Sequence, residues 1–231
     1  MPVILATGGY DGTVRLWEAQ SESCFMRLNN SEKHVNALAI SPDKRVVVAA
    51  GNPSVRVFDA GGGDSEVLHS LEGHSGNVTA LGFHRSGAWL YTASDDGTLR
   101  IWDMDTNEAQ RVYENHPHAS PTTAHGPSHT TPSHPAPSHP PPHPAPAHTS
   151  THLTPTSPPT PINDACLHPD QAAIVTGDAN GTLRFWDLAA DKCTLELVSE
   201  NAEIPVSTVA VSSDGETVVA ATHKGVVFSW R

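Results

Sequence analysis

The sequence predicts an all-β fold assembled from one repeated unit of four short strands. Three observations predict it. A phrase of strand-like alternation closing on an aromatic residue recurs five times: "YDGTVRLWE" to Glu18, "GNPSVRVFD" to Asp59, "SDDGTLRIWD" to Asp103, "ANGTLRFWD" to Asp187 and "HKGVVFSWR" to Arg231. Its anchors Trp17, Phe58, Trp102, Trp186 and Trp230 lie 41, 44, 84 and 44 residues apart. A second phrase, apolar at the first, fourth and sixth positions and ending in a turn, sits between them: "VNALAISPD", "VTALGFHRSG", "INDACLHPD" and "VSTVAVSSDG". Two phrases in constant order at about 40–45 residues, with Trp-Asp closing a strand, are the signature of WD40 β-propeller blades.

Each unit divides at its turn signals into strands a to d. In the third, Val78–Phe83 reads as a, Trp89–Ala93 as b, Thr98–Trp102 as c and Ala109–Tyr113 as d, with "HRSGA" and "SDDG" as turns. The second runs from Val35 to Leu71 and the fourth from Ile162 to Val198. The first unit opens at strand b (Val3–Thr7) and the fifth stops at strand c on Trp230, which predicts 18 strands. A closed ring of five would leave the two meeting blades one strand short, with exposed edges. The expectation is five consecutive blade units of a larger propeller, an incomplete ring, with the closed ring of five as the alternative.

The long interval between Trp102 and Trp186 contains no additional anchor phrase. Asn115 to Asn163 holds no Asp, Glu, Lys or Arg and is dominated by Pro, His, Ser, Thr and Ala. Such a composition buries too little apolar surface to offset its ordering entropy. The chain therefore divides into blades 1–3 (1–114), a disordered His/Pro-rich insertion in a d–a loop (115–161) and blades 4–5 (162–231).

Composition narrows the function classes. Thirteen basic against 25 acidic residues give a formal charge of -12, which repels phosphate backbones and anionic lipid, so neither nucleic acid nor membrane insertion is expected. No stretch approaches the roughly 18 apolar residues of a membrane span. Three cysteines without a pairing framework, and an amino end without a charged leader, fit a soluble cytoplasmic protein. Nine of the 15 histidines fall between His116 and His152, irregularly spaced and without cysteine or carboxylate, which predicts no defined metal site. No phosphate-binding loop is present, and no cofactor is expected.

In a WD-repeat blade a turn aspartate accepts hydrogen bonds from a histidine of the d–a loop, and a strand-b hydroxyl and the strand-c indole complete the chain. His74, Ser94, Asp96 and Trp102 fit those roles in the third unit. A buried carboxylate needs such partners. The same residue types could suggest a hydrolase triad, but neither a nucleophile elbow nor an oxyanion donor accompanies them. Asp43, Asp170 and Asp214 recur at equivalent a–b turns, so they are repeat residues and not a focused acid pair. The protein is not expected to be an enzyme. Residues just before the turn aspartate, or entering strand a, stand on the top rim: Tyr10, His34, Asn36, Asn77, Asp95 and Ala179 are the expected partner-binding positions.

Beyond the generic pattern, "PVILATGGYDGTVRLWEA", "VNALAISPDKRVVVAAG", "LGFHRSGAWLYTASDDGTLRIWD" and "CLHPDQAAIVTGDANGTLRFWDL" resemble the small WD-repeat subunit of the target-of-rapamycin (TOR) kinase complexes, the G-protein-β-subunit-like family. The resemblance covers everything but the insertion. It implies a seven-bladed propeller of which this chain would lack roughly two blades. It also implies a non-catalytic scaffold that docks on the kinase and stabilises the complex, with the kinase and its associated subunits as partners. The alternative is a generic WD40 adaptor such as a ubiquitin-ligase substrate receptor. Those commonly carry Trp-Asp-x-Arg after strand c, where this chain has "WDMD" and "WDLA".

Overall fold

The structure is a computed structural model and describes residues 4–29, 34–61, 67–115, 158–198 and 204–231. The described residues contain 18 strands in five antiparallel sheets and no helix. The first sheet has three strands, β1 (Ile4–Gly8), β2 (Thr13–Glu18) and β3 (Ser23–Asn29). Three four-stranded sheets follow. The second comprises β4 (Ala37–Ile40), β5 (Val46–Ala50), β6 (Val55–Asp59) and β7 (Val67–Leu71); the third β8 (Val78–Phe83), β9 (Trp89–Ser94), β10 (Thr98–Asp103) and β11 (Ala109–Glu114). The fourth is β12 (Ile162–Leu167), β13 (Ala173–Asp178), β14 (Thr182–Asp187) and β15 (Lys192–Val198). The last has three strands, β16 (Val206–Val211), β17 (Val218–Thr222) and β18 (Val227–Trp230). Every sheet pairs its strands in chain order, as hairpins joined by short turns predict.

Sheet contact explains the apolar pattern. Strand β5 is buried along most of its length, because alternate residues serve two different neighbours. Val47 and Ala49 pack with Val14, Leu16 and Leu28 of the first sheet. Val48 and Ala50 pack with Val78, Leu90 and Trp102 of the third. The same division places Tyr113 against Trp186, and Leu183 against Val206 and Val209. The core is thus a series of layers between consecutive sheets, and the first strands β4, β8, β12 and β16 are neighbours in turn. That is the packing of a WD40 β-propeller.

The close approach of one sheet to the next needs small residues on strand b. A Cβ added at Gly8 would lie 2.5 Å from Val35 Cγ1, and one at Gly177 2.5 Å from Val206 Cγ1. Of the predicted insertion, 116–157 lies outside the described residues. Asn115 and Thr160, inside the predicted bounds of the insertion, are buried and hydrogen-bonded to each other beside the sheets.

Candidate partner-binding rim and the network beneath it

The b–c turn of the third sheet is organised around one carboxylate. Asp96 Oδ2 lies 2.9 Å from His74 Nδ1 and accepts the Ser75 N–H at 3.0 Å; Oδ1 accepts the Thr98 hydroxyl at 2.7 Å and its N–H at 2.8 Å. Burial pushes the Asp96 carboxyl up, but the hydrogen bonds from His74, Thr98 and Ser75 outweigh it and hold the group well below the usual carboxylate range. Gly97 turns the chain at φ +76°, and a Cβ there would meet Pro159 Cβ at 2.3 Å.

The strand-b hydroxyl of this network is Thr92, which corrects the assignment of Ser94. Thr92 Oγ1 lies 2.7 Å from His74 Nε2 and accepts the Trp102 indole N–H at 2.8 Å. An imidazole that donates from Nδ1 and accepts at Nε2 satisfies the chain: indole to Thr92, Thr92 to His74, His74 to Asp96. Ser94 sits two residues further along the strand, beyond the reach of the indole, and its Oγ accepts the Asp96 N–H at 3.1 Å. Both nitrogens of His74 therefore face Asp96 and Thr92, and Ser94, His74 and Asp96 are not arranged as nucleophile, base and orienting acid.

The threonine–indole pair recurs wherever the strand keeps its tryptophan opposite a hydroxyl. Trp17 donates to Thr7 at 2.8 Å and Trp186 to Thr176 at 2.9 Å. In the second sheet the register puts Ala49 and Phe58 at these places, so donor and acceptor are lost together. In the first sheet Asp11 takes Thr13 and Arg15 in place of a histidine, with Arg15 Nη2 at 2.9 Å. The Thr13 and Arg15 side chains lower the Asp11 pKa to about 2.

The fourth sheet uses a network that sequence reasoning missed. Asn180 holds the position of Asp96, and the carboxylate has moved to Asp178, buried with Arg184. Arg184 Nη1 donates to Asp178 Oδ2 and to Asn115 Oδ1, each at 2.5 Å, and its Nε donates to Glu196. Asn115 Nδ2 donates to Thr160 O at 2.9 Å, and the Thr160 N–H returns to Asn115 O at 2.7 Å. The available signal was "TGDANGTLR", an acid two residues early in an otherwise regular phrase.

Above these networks the rim residues fall into two groups. Tyr10 is 81% exposed and meets the exposed His34 edge to face, with ring centroids 4.9 Å apart. Asp95 projects into solvent while its N–H is held by Asn77 O at 2.9 Å. Asn36 and Asn77 bond to each other at 2.5 Å, which ties the second sheet to the third. Ala179 is half-buried, with its N–H on Pro161 O at 3.0 Å.

Asn36 also belongs to a recurrent contact between sheets. Its Nδ2 donates to Val78 O at 3.3 Å; Thr79 Oγ1 donates to Ile162 O at 2.7 Å; Asn163 Nδ2 donates to Val206 O at 2.6 Å. In each case the second residue of the strand-a phrase reaches the first residue of the next. A position expected to serve a partner thus also joins the sheets. Among the described residues no group of three or more His, Cys, Asp or Glu could hold a metal ion, and no helix is long and apolar enough to cross a membrane.

The five sheets, their turn carboxylates and the threonine–indole pairs define a WD-repeat protein. The model of the WD domain, G-beta repeat, matches residues 2–18, 22–59, 65–103 and 148–187, and the chain belongs to that family. Among its relatives, target of rapamycin complex subunit wat1 of Schizosaccharomyces pombe is 36% identical over 229 residues, covering 99% of this chain and 59% of that protein. Protein LST8 homolog of Dictyostelium discoideum is 35% identical over 99% of this chain and 61% of its own length. Target of rapamycin complex subunit LST8 of Bos taurus is 30% identical over 100% of this chain and 57% of its own length. The chain therefore spans about three-fifths of the length of the curated relatives it matches.

Proposed function

We propose that this chain acts as a non-catalytic WD-repeat scaffold, docking on the TOR kinase and stabilising its complex in the cytoplasm. The observation that carries the reading is the likeness to relatives named as TOR complex subunits, which runs over 99% or more of this chain. The rim supplies the surface. Tyr10, packed on His34 and exposed, offers an aromatic anchor, and Asp95, Asn36 and Asn77 give it a polar surround, the mixture that protein interfaces favour. Ala179 continues the rim over the fourth sheet. The test is affinity purification of the tagged chain from cell extract. Recovery of the TOR kinase and its subunits is expected; recovery of cullin-ligase components without the kinase would favour the adaptor reading instead.

A further inference from the structure

The turns on the opposite end of the sheets from the rim enclose a second surface. Between the second and third sheets lies a cleft of about 310 Å3, with Val46, Val57, Phe83 and Met104 along its walls and Leu68 at its mouth. Leu68 is 47% exposed. The neighbouring junctions show why this one is open. Strand register puts Met26, His69 and Arg111 at equivalent places in β3, β7 and β11, each facing the next sheet. Met26 is buried and packs in one cluster with Ala60, filling its junction. Arg111 crosses its junction to donate to Leu188 O and pairs with Asp191 at 3.5 Å, and the space left beside it is about 130 Å3. At the middle junction His69 is exposed, and among the described residues no side chain fills the space opposite Met104.

The charges around this cleft state what fits it. Asp43, from the a–b turn of the second sheet, and Asp105, from the c–d turn of the third, stand at its edge, and neither Lys nor Arg is among the described residues lining it. Asp43 Oδ1 is occupied by Ser41 and the Arg45 N–H, and those bonds hold its carboxyl below the ordinary value, so it stays charged at neutral pH. Ser41, His69, Ser86 and Asn107 also line the cleft. A cleft with apolar walls and two carboxylates at its edge accepts an apolar side chain whose neighbour is a cation. We propose that this cleft binds an extended segment of a partner protein in which an apolar residue lies beside a lysine or arginine. Because the cleft lies at the far end of the sheets from Tyr10 and Asp95, the chain would hold two partners at once.

The proposal is tested with random short peptides displayed on phage and selected on the immobilised chain. Enriched sequences should pair an apolar residue with Lys or Arg. Binding of a synthetic selected peptide should weaken by about tenfold or more in Leu68→Lys and in Asp105→Lys, the scale of one lost charge-assisted contact. Tyr10→Ala should leave it unchanged. Leu68→Ala, which only shortens the wall, should weaken binding too and keeps the test decisive if the lysine variant folds poorly. Failure to enrich any sequence, an acidic consensus, equal affinity for the Leu68 variants, or loss of binding in Tyr10→Ala would each overturn the proposal.

Discussion

Replacing Thr92 by valine keeps the volume of the side chain and removes only its hydroxyl. That hydroxyl partners two buried nitrogens, His74 Nε2 at 2.7 Å and Trp102 Nε1 at 2.8 Å. His74 is 6% and Trp102 1% exposed, so water cannot replace it without opening the junction. A buried donor or acceptor left without a partner costs about 1–3 kcal/mol, and two such groups put Thr92→Val at roughly 2–6 kcal/mol. For a chain of this size that is a fall in melting temperature of roughly 4–24 °C. Ser94→Ala removes one acceptor from a single backbone N–H, and its expected cost is about 1 kcal/mol. The double variant Thr92→Ala/Trp102→Phe copies the Ala49/Phe58 arrangement of the second sheet and removes the orphaned indole donor together with its acceptor. It should therefore lose less than the sum of its two single variants. Urea and thermal unfolding of the set, followed by circular dichroism, give the comparison. Equal losses for Thr92→Val and Ser94→Ala, or strict additivity in the double variant, would refute the assignment.

Asp96→Ala should cost on the order of 1–3 kcal/mol, while Asp95→Ala should leave stability nearly unchanged and act only on binding, as paired melting curves would show. The Asp96 carboxyl titrates below its ordinary value of 3.8 in the folded state, so its contribution is present above that pH and is lost as pH falls further. The gap between wild type and Asp96→Asn should accordingly be full at pH 7 and close on acidification below about pH 4. Burial pushes the Cys166 thiol up to about 12, whereas Cys24 is exposed; an alkylating reagent at neutral pH should label Cys24 and spare Cys166 until the protein unfolds, as peptide mass mapping would report. Asn115→Ala strips Arg184 of a buried acceptor and should cost about 1–3 kcal/mol. Replacing 116–157 by a short flexible linker should leave the melting temperature nearly unchanged, since Asn115 and Thr160 already hold the two ends together.

The strands were legible because each is announced twice, by alternation and by its turn. In the third sheet the predicted starts at Val78, Trp89, Thr98 and Ala109 are those observed, and strands b, c and d each run one residue longer. Asp96, His74 and Trp102 were legible as well, since the carboxylate, imidazole and indole each have one use in a blade. The hydroxyl was harder, because Thr92 and Ser94 lie on the same side of one strand. The distinguishing signal was the constant spacing of Thr7, Thr92 and Thr176 from Trp17, Trp102 and Trp186, which selects the register that reaches the indole. The Arg184–Asp178–Asn115 cluster stayed hidden because Asn115 reaches it across the interval that the composition marked as insertion. The bonds from Asn36, Thr79 and Asn163 to the next sheet depend on a neighbour about forty or more residues away, which no local pattern encodes.

Docking of the Tyr10 rim on the TOR kinase is what the proposed function requires. Its most direct measurement is the affinity of purified kinase complex for the wild-type chain and for the triple variant Tyr10→Ala, His34→Ala, Asp95→Ala, with folding verified by circular dichroism. Removing an exposed aromatic anchor and its charged neighbour from an interface should weaken binding by at least about tenfold, with the melting temperature retained. Equal affinity of the two chains would contradict the assignment of this face, and failure of the wild-type chain to bind the kinase at all would contradict the scaffold reading itself.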